Sequence, residues 1–116
     1  MIKVLHLISG GDVGGAKTHV LTLVKELSKE IPVKIICFME GTFADEAREM
    51  GIDIQVICQK QRYDLKVVDE LIEIIHKGEF NLIHSHGARA NFITRFIKRK
   101  LDFLYITHLI VQILLI

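Results

Sequence analysis

The chain has 116 residues, 50% of them hydrophobic and 25% charged, with eight glycines and one proline. That suffices for one small domain with a core, and it excludes disordered, collagen-like and low-complexity readings. Fifteen basic against fourteen acidic residues leave a net charge of +1, so no global field points to nucleic acid, and no nucleic-acid partner is expected.

Residues 2–8 form a short apolar run rich in β-branched side chains, which predicts a strand. A glycine-dense loop follows at 9–15. Val20, Leu21, Leu23, Val24 and Leu27 have helical spacing and predict a helix over 18–27. Pro32 marks a boundary before a second buried strand at 33–39. A short helix is expected at 44–50, with Thr42 as N-cap and Gly51 as its stop. A third strand follows at 53–58. Asp64 is positioned to cap a helix over 65–76, with Leu65, Val68, Leu71, Ile72 and Ile75 inward and Gly78 ending it. A fourth strand at 80–85, a helix at 88–100 and the start of a fifth strand at 104–107 complete the pattern.

Alternating strands and helices predict right-handed βαβ crossovers, hence an α/β fold with a Rossmann-like parallel sheet. The strands are continuous apolar runs, so helices should flank the sheet on both faces. Ligands bind such sheets beyond the carboxyl ends of the strands. The segments to search are therefore 9–17, 40–42, 59–64, 85–89 and whatever follows Thr107. Cys37 and Cys58 sit in apolar runs and make neither a disulfide framework nor a CxxC site, as in a reduced cytosolic chain.

The first strand runs into Ser9-Gly10-Gly11-Asp12-Val13-Gly14-Gly15-Ala16-Lys17-Thr18. Glycines just before a helix bring main-chain N–H groups and the positive helix end to one spot, which suits a phosphate. The plainer alternative is a tight turn packing the helix on the sheet. The ATP-type loop needs lysine directly after glycine, but Ala16 intervenes and shifts Lys17 by about 100° around the helix. The dinucleotide fingerprint G-x-G-x-x-G is also missing. Glu40 stands where a ribose-binding acid would, or is a solvated strand end.

His84 and His86 share a strand face, and HxH can bind a metal. No Cys, Asp or Glu at ligand spacing completes the set, so no metal is expected. His84 reads as a core histidine with one satisfied hydrogen bond. His86 stands at the active edge, followed by Gly87 and a helix. His108 holds the equivalent place after the fifth strand. His6 reads as structural, and His19 and His76 suggest no role. Arg89, Arg95, Lys98, Arg99 and Lys100 crowd one helix: either a solvated face or a patch for an anionic membrane surface.

These segments together resemble the N-terminal domain of GT-B fold glycosyltransferases, specifically glycosyltransferase family 4. The family's first strand is similar to Lys3-Val4-Leu5-His6-Leu7-Ile8, and its Gly-Gly-x-x-Gly-Gly loop to residues 10–15. Phe80-Asn81-Leu82-Ile83-His84-Ser85-His86-Gly87 resembles its D-[IV]-[IV]-H-x-H segment, with Asn81 where aspartate is common. Ala88-Arg89-Ala90-Asn91 opens a helix as the family does. The resemblance covers residues 1 to about 107 and implies a retaining enzyme moving a sugar from a nucleotide-sugar donor to an acceptor hydroxyl. It implies no cofactor and no metal. The implied substrate-binding set is Gly14, Gly15, Ala16, Lys17, His86 and Arg89. The implied catalytic residue is His108, although Ile106-Thr107-His108 is one residue short of the family's T-x-H pattern.

Domain organisation is read as an acceptor-side domain over 1–108 and an anomalous apolar tail over 109–116, with the donor-binding domain missing. From Phe103 the chain is almost wholly apolar for about 14 residues, short of the roughly 20 that span a bilayer. A truncated or frameshifted reading frame would produce such a tail, and its apolar surface predicts self-association. The expected location is cytoplasmic, peripheral at the inner membrane face. The alternatives are an oxidoreductase or ATPase fragment with a nucleotide-binding Rossmann domain, and a non-catalytic interaction subunit.

Overall fold

In the computed structural model, residues 2–11, 15–61, 64–101 and 105–107 are described. The elements in chain order are β1 (Val4–Ile8), α1 (Gly15–Leu27), β2 (Val33–Cys37), α2 (Thr42–Glu49), β3 (Ile54–Val56), α3 (Val67–Gly78), β4 (Leu82–His86), α4 (Ala88–Lys100) and β5 (Tyr105–Thr107). The five strands form one sheet in the order β3-β2-β1-β4-β5, and every pairing is parallel. The chain winds outward from β1 to β3, then crosses back to lay β4 on the other side of β1. The junction of β1 and β4 is therefore the switch point of the sheet.

Alternation along the strands divides the core into two layers. Leu5, Leu7, Ile36 and Ile83 pack with Val68, Leu71 and Ile75 of α3 and Ile93 and Ile97 of α4. Ile8, Ile35 and Cys37 pack on the opposite face with Val20, Leu21 and Val24 of α1 and Phe43 and Ala47 of α2. All five residues of β1 are buried, as the central strand of a doubly covered sheet requires. Cys37 is buried and Cys58 exposed.

Local signals shift two helix starts from their expected places. Gly41 rather than Thr42 is the N-cap of α2, and Thr42 is its first residue. Asp64 makes a turn, its Oδ1 accepting the Lys66 N–H at 3.0 Å, and α3 begins only at Val67. At the other end of α3, Gly78 is still helical and Glu79 takes the left-handed cap position (φ 57°). Gly78 is required there by packing, since a Cβ would collide with the Phe80 ring. Asn81 keeps the acceptor an aspartate would offer, its Oδ1 receiving the Lys3 N–H at 3.0 Å and tying β4 to the start of β1. Residues 12–14 and 108–116 lie outside the described residues, and with them the expectations for Gly14, His108 and the apolar tail.

Candidate functional site

Four loops meet beyond the carboxyl ends of the strands. Ser9 follows β1, and its carbonyl accepts the Phe38 N–H at 3.0 Å after β2. The Phe38 carbonyl accepts the Gln59 N–H at 3.1 Å after β3. Gln59 Oε1 accepts from Arg89 Nε at 2.5 Å after β4, and Arg89 Nη1 donates to Ser9 Oγ at 3.4 Å. The contacts close a circuit around the edge. Sequence reasoning named the segments that hold Ser9, Gln59 and Arg89, while Phe38 fell within the expected second strand; Gln59 as the acceptor that orients Arg89 emerges only in three dimensions.

The glycine loop leaves β1 through Gly10 at φ 93°. A Cβ there would stand 3.0 Å from both Cys37 Cβ and the Met39 carbonyl, so only glycine lets the loop lie against the end of β2. Gly87, at φ 89°, has open space around it and hands the chain from β4 to α4. The amino ends of α1, at Gly15 and Ala16, and of α4, at Ala88, thus stand at the same end of the sheet, on the two sides of the switch point. Two positive helix ends at one edge suit an anion. Lys17 is held by Glu46 of α2 at 3.0 Å. Glu40 is exposed and paired with Arg48 at 3.0 Å.

Beneath this edge lies a cluster of imidazoles that spacing along the chain does not reveal. Parallel register sets His6 of β1 opposite His84 of β4, and Ile8 opposite His86. His6, His84 and His86 therefore point to one face, where they are 0%, 8% and 5% exposed. His6 Nδ1 and His86 Nε2 are hydrogen-bonded at 3.0 Å. The His84 and His86 rings stack with centroids 4.2 Å apart, and His6 stands 5.2 and 5.3 Å from them. Burial, reinforced by the charge on His84, pushes His6 down to about 3. Burial, with the charges of His84, His6 and His19, pushes His86 down to about 2. Burial lowers His84 as well. The rings are therefore neutral at neutral pH. His6 Nε2, His84 Nε2, His86 Nδ1 and the His19 Nε2 on α1 are buried without a hydrogen-bond partner. One nitrogen from each of His6, His84 and His86 lies within 4.8 Å of the others, so these three are the residues able to hold a metal among the described residues. HxH alone gave two of them; the third arrives from a strand about 80 residues away, by topology.

An open cleft of about 450 Å³ lies at the opposite, amino end of the strands, lined by Lys3, Lys34 and Lys77 among others. Its lysines are engaged: Lys3 with the Gly78 carbonyl, Lys34 with Asp53 at 3.8 Å and Lys77 with Glu73 at 2.6 Å.

Comparison with known proteins bears on the fold and the family. The chain is 29% identical over 89 residues to the capsular polysaccharide biosynthesis glycosyltransferase CapH of Staphylococcus aureus, covering 74% of this chain and 24% of that protein. Its fold is similar to that of Anabaena HepE, solved in complex with UDP and glucose (TM-score 0.70, 19% identity, 85% of this chain and 27% of that one). A glycosyltransferase from Rickettsia africae is similar to the same degree (TM-score 0.72, 16% identity, 90% and 28%). The chain thus spans about a quarter of the length of these relatives. The family description that matches residues 13–111 is Glycosyltransferase Family 4, and the chain belongs to that family.

Proposed function

We propose that this chain is an N-terminal, acceptor-side fragment of a retaining glycosyltransferase, which moves a sugar from a nucleotide-sugar donor to an acceptor hydroxyl and is inactive without a donor-binding domain. The observation that carries the reading is the convergence of the glycine loop and the β4–α4 junction on one edge, linked by Arg89 and Ser9. In such a transfer the bond from the anomeric carbon to the phosphate oxygen breaks and a bond to the acceptor oxygen forms. The negative charge passes to the leaving diphosphate, which takes up the acceptor proton. Main-chain N–H groups at Gly14 and Gly15 and the α1 amino end stabilise that charge, because fixed donors need no reorganisation as the charge develops. Arg89, oriented by Gln59, faces the acceptor side with the His86–Gly87 backbone. In this reading His108 acts near the diphosphate, Lys17 of α1 supports the loop while anchored by Glu46 of α2, and neither a cofactor nor a metal takes part in the transfer.

The protein works at the cytoplasmic face of a membrane, held by the basic face of α4, and the apolar stretch 109–116 favours self-association. The chain is tested with and without a donor-binding domain from the family, against a panel of nucleotide sugars, by release of nucleoside diphosphate. The isolated chain is expected to bind nucleotide sugars weakly and release nothing; the combined halves are expected to turn over. Robust turnover by the isolated chain overturns the reading. So does tight binding of ATP or a dinucleotide that is lost on substituting Gly14 or Gly15.

A further inference from the structure

We propose that His6, His84 and His86 form a zinc site, each imidazole giving one nitrogen to a single ion that ties β1 to β4 beneath the glycine loop. The inference rests on the cluster itself and stands independently of the sugar-transfer reading.

The first support is geometric. Zinc binds imidazole nitrogen at about 2.0–2.1 Å, so two ligands of a tetrahedral ion stand about 3.3 Å apart. His6 Nδ1 and His86 Nε2 are already 3.0 Å apart, and a nitrogen of His84 lies within 4.8 Å of the other ligand atoms. Both strands belong to the buried centre of the sheet, so the donors are presented by a rigid frame. Rigid presentation is what a metal site needs.

The second support is the accounting of buried polar atoms. Three neutral imidazoles carry three lone pairs and three N–H groups. One hydrogen bond between His6 and His86 uses a single lone pair. His6 Nε2, His84 Nε2 and His86 Nδ1 remain without partners although they are buried. An unsatisfied buried polar group costs about 1–3 kcal/mol, and a native core rarely gathers several in one place. A divalent cation held by His6 Nδ1, His86 Nε2 and His84 Nε2 takes up the three lone pairs and relieves the orphaned His84 nitrogen, while His6 Nε2 and His86 Nδ1 then carry the N–H groups.

The third support is the chemistry of the donor set. Calcium, magnesium and manganese want oxygen ligands, and no carboxylate joins this group among the described residues. Three imidazoles with no thiolate are a set that zinc accepts, with a fourth position left for water. His19 stands by the same cluster, close enough for its charge to bear on His86.

The test uses the 116-residue chain, stripped with a chelator and titrated with zinc by calorimetry at neutral pH. One ion per chain is expected. His6→Gln and His84→Gln are expected to weaken binding by more than about 100-fold, beyond what loss of a supporting residue costs. His76→Gln, on the exposed end of α3, leaves it unchanged. X-ray absorption on the zinc-loaded wild-type chain counts the imidazoles around the ion and does not depend on any variant folding; three are expected. Failure of the folded wild-type chain to take up one equivalent overturns the proposal. So does a first shell with fewer than three imidazoles, or uptake undiminished in His84→Gln.

Discussion

His6, on the central strand of the sheet, has no exposed surface. Its folded-state pKa of about 3 and that of His86, about 2, lie far below the ordinary value of 6.5. The sign of the consequence follows from proton counting. Below pH 6.5 the unfolded chain binds protons on these rings and the folded chain does not, so acid favours unfolding. Stability from this source is complete above pH 6.5 and is lost as pH falls towards the folded values. Each ring contributes a slope of up to about 1.4 kcal/mol per pH unit. Urea unfolding with a chelator present should show a midpoint that drops steadily between pH 6.5 and about 4, with a shallower drop in His6→Gln. A midpoint independent of pH across that range contradicts the burial of the two imidazoles.

Helix α4 shows how far one element can be read from its sequence. Its apolar positions point inward as their spacing predicts, with Ile93 and Ile97 fully buried. Buried Thr94 satisfies its hydroxyl by donating to the Ala90 carbonyl at 2.8 Å. The basic residues divide in a way that composition cannot show. Arg89 turns into the carboxyl edge, Lys100 pairs with Asp69 at 3.0 Å, and Arg99 lies 5.3 Å from the Phe96 ring. Arg95 and Lys98 remain on the exposed face. These two should carry any attraction to an anionic bilayer, at about 1 kcal/mol each. Arg95→Glu and Lys98→Glu are each expected to weaken binding to anionic liposomes about fivefold or more, with neutral liposomes unaffected. Equal binding by the wild-type chain and the double reversal would remove the membrane role. Other elements were less legible at their ends. Asp64 satisfies a turn before it can cap α3, and only packing against Phe80 explains why Gly78 stays inside the helix.

At the scale of the whole molecule, the parallel sheet and the edge at which its loops meet follow from chain order, because βαβ units have one hand and their ligand-binding end is fixed. The meeting of His6 with His84 does not follow. It depends on which strand pairs with β1 and in what register, and apolar strands such as these carry no mark of either. The circuit around the edge depends on strand order in the same way, and Gln59 is its hub. Its carboxamide accepts from Arg89 Nε at 2.5 Å and donates to the Asp64 carbonyl at 2.8 Å, joining the loops after β3 and β4. Gln59→Leu keeps the size and removes both contacts. Loss of a hydrogen bond to a charged group costs about 1.5–3 kcal/mol when buried, and Arg89 is half-buried, so about 1–2 kcal/mol is expected from urea unfolding. Gln59→Glu retains the acceptor for Arg89 and loses only the bond to Asp64, so it should recover most of that loss. If both variants unfold alike, the Arg89 contact does not hold the edge together. If Gln59→Leu stays within about 0.5 kcal/mol of wild type, the circuit adds nothing to the stability of the sheet.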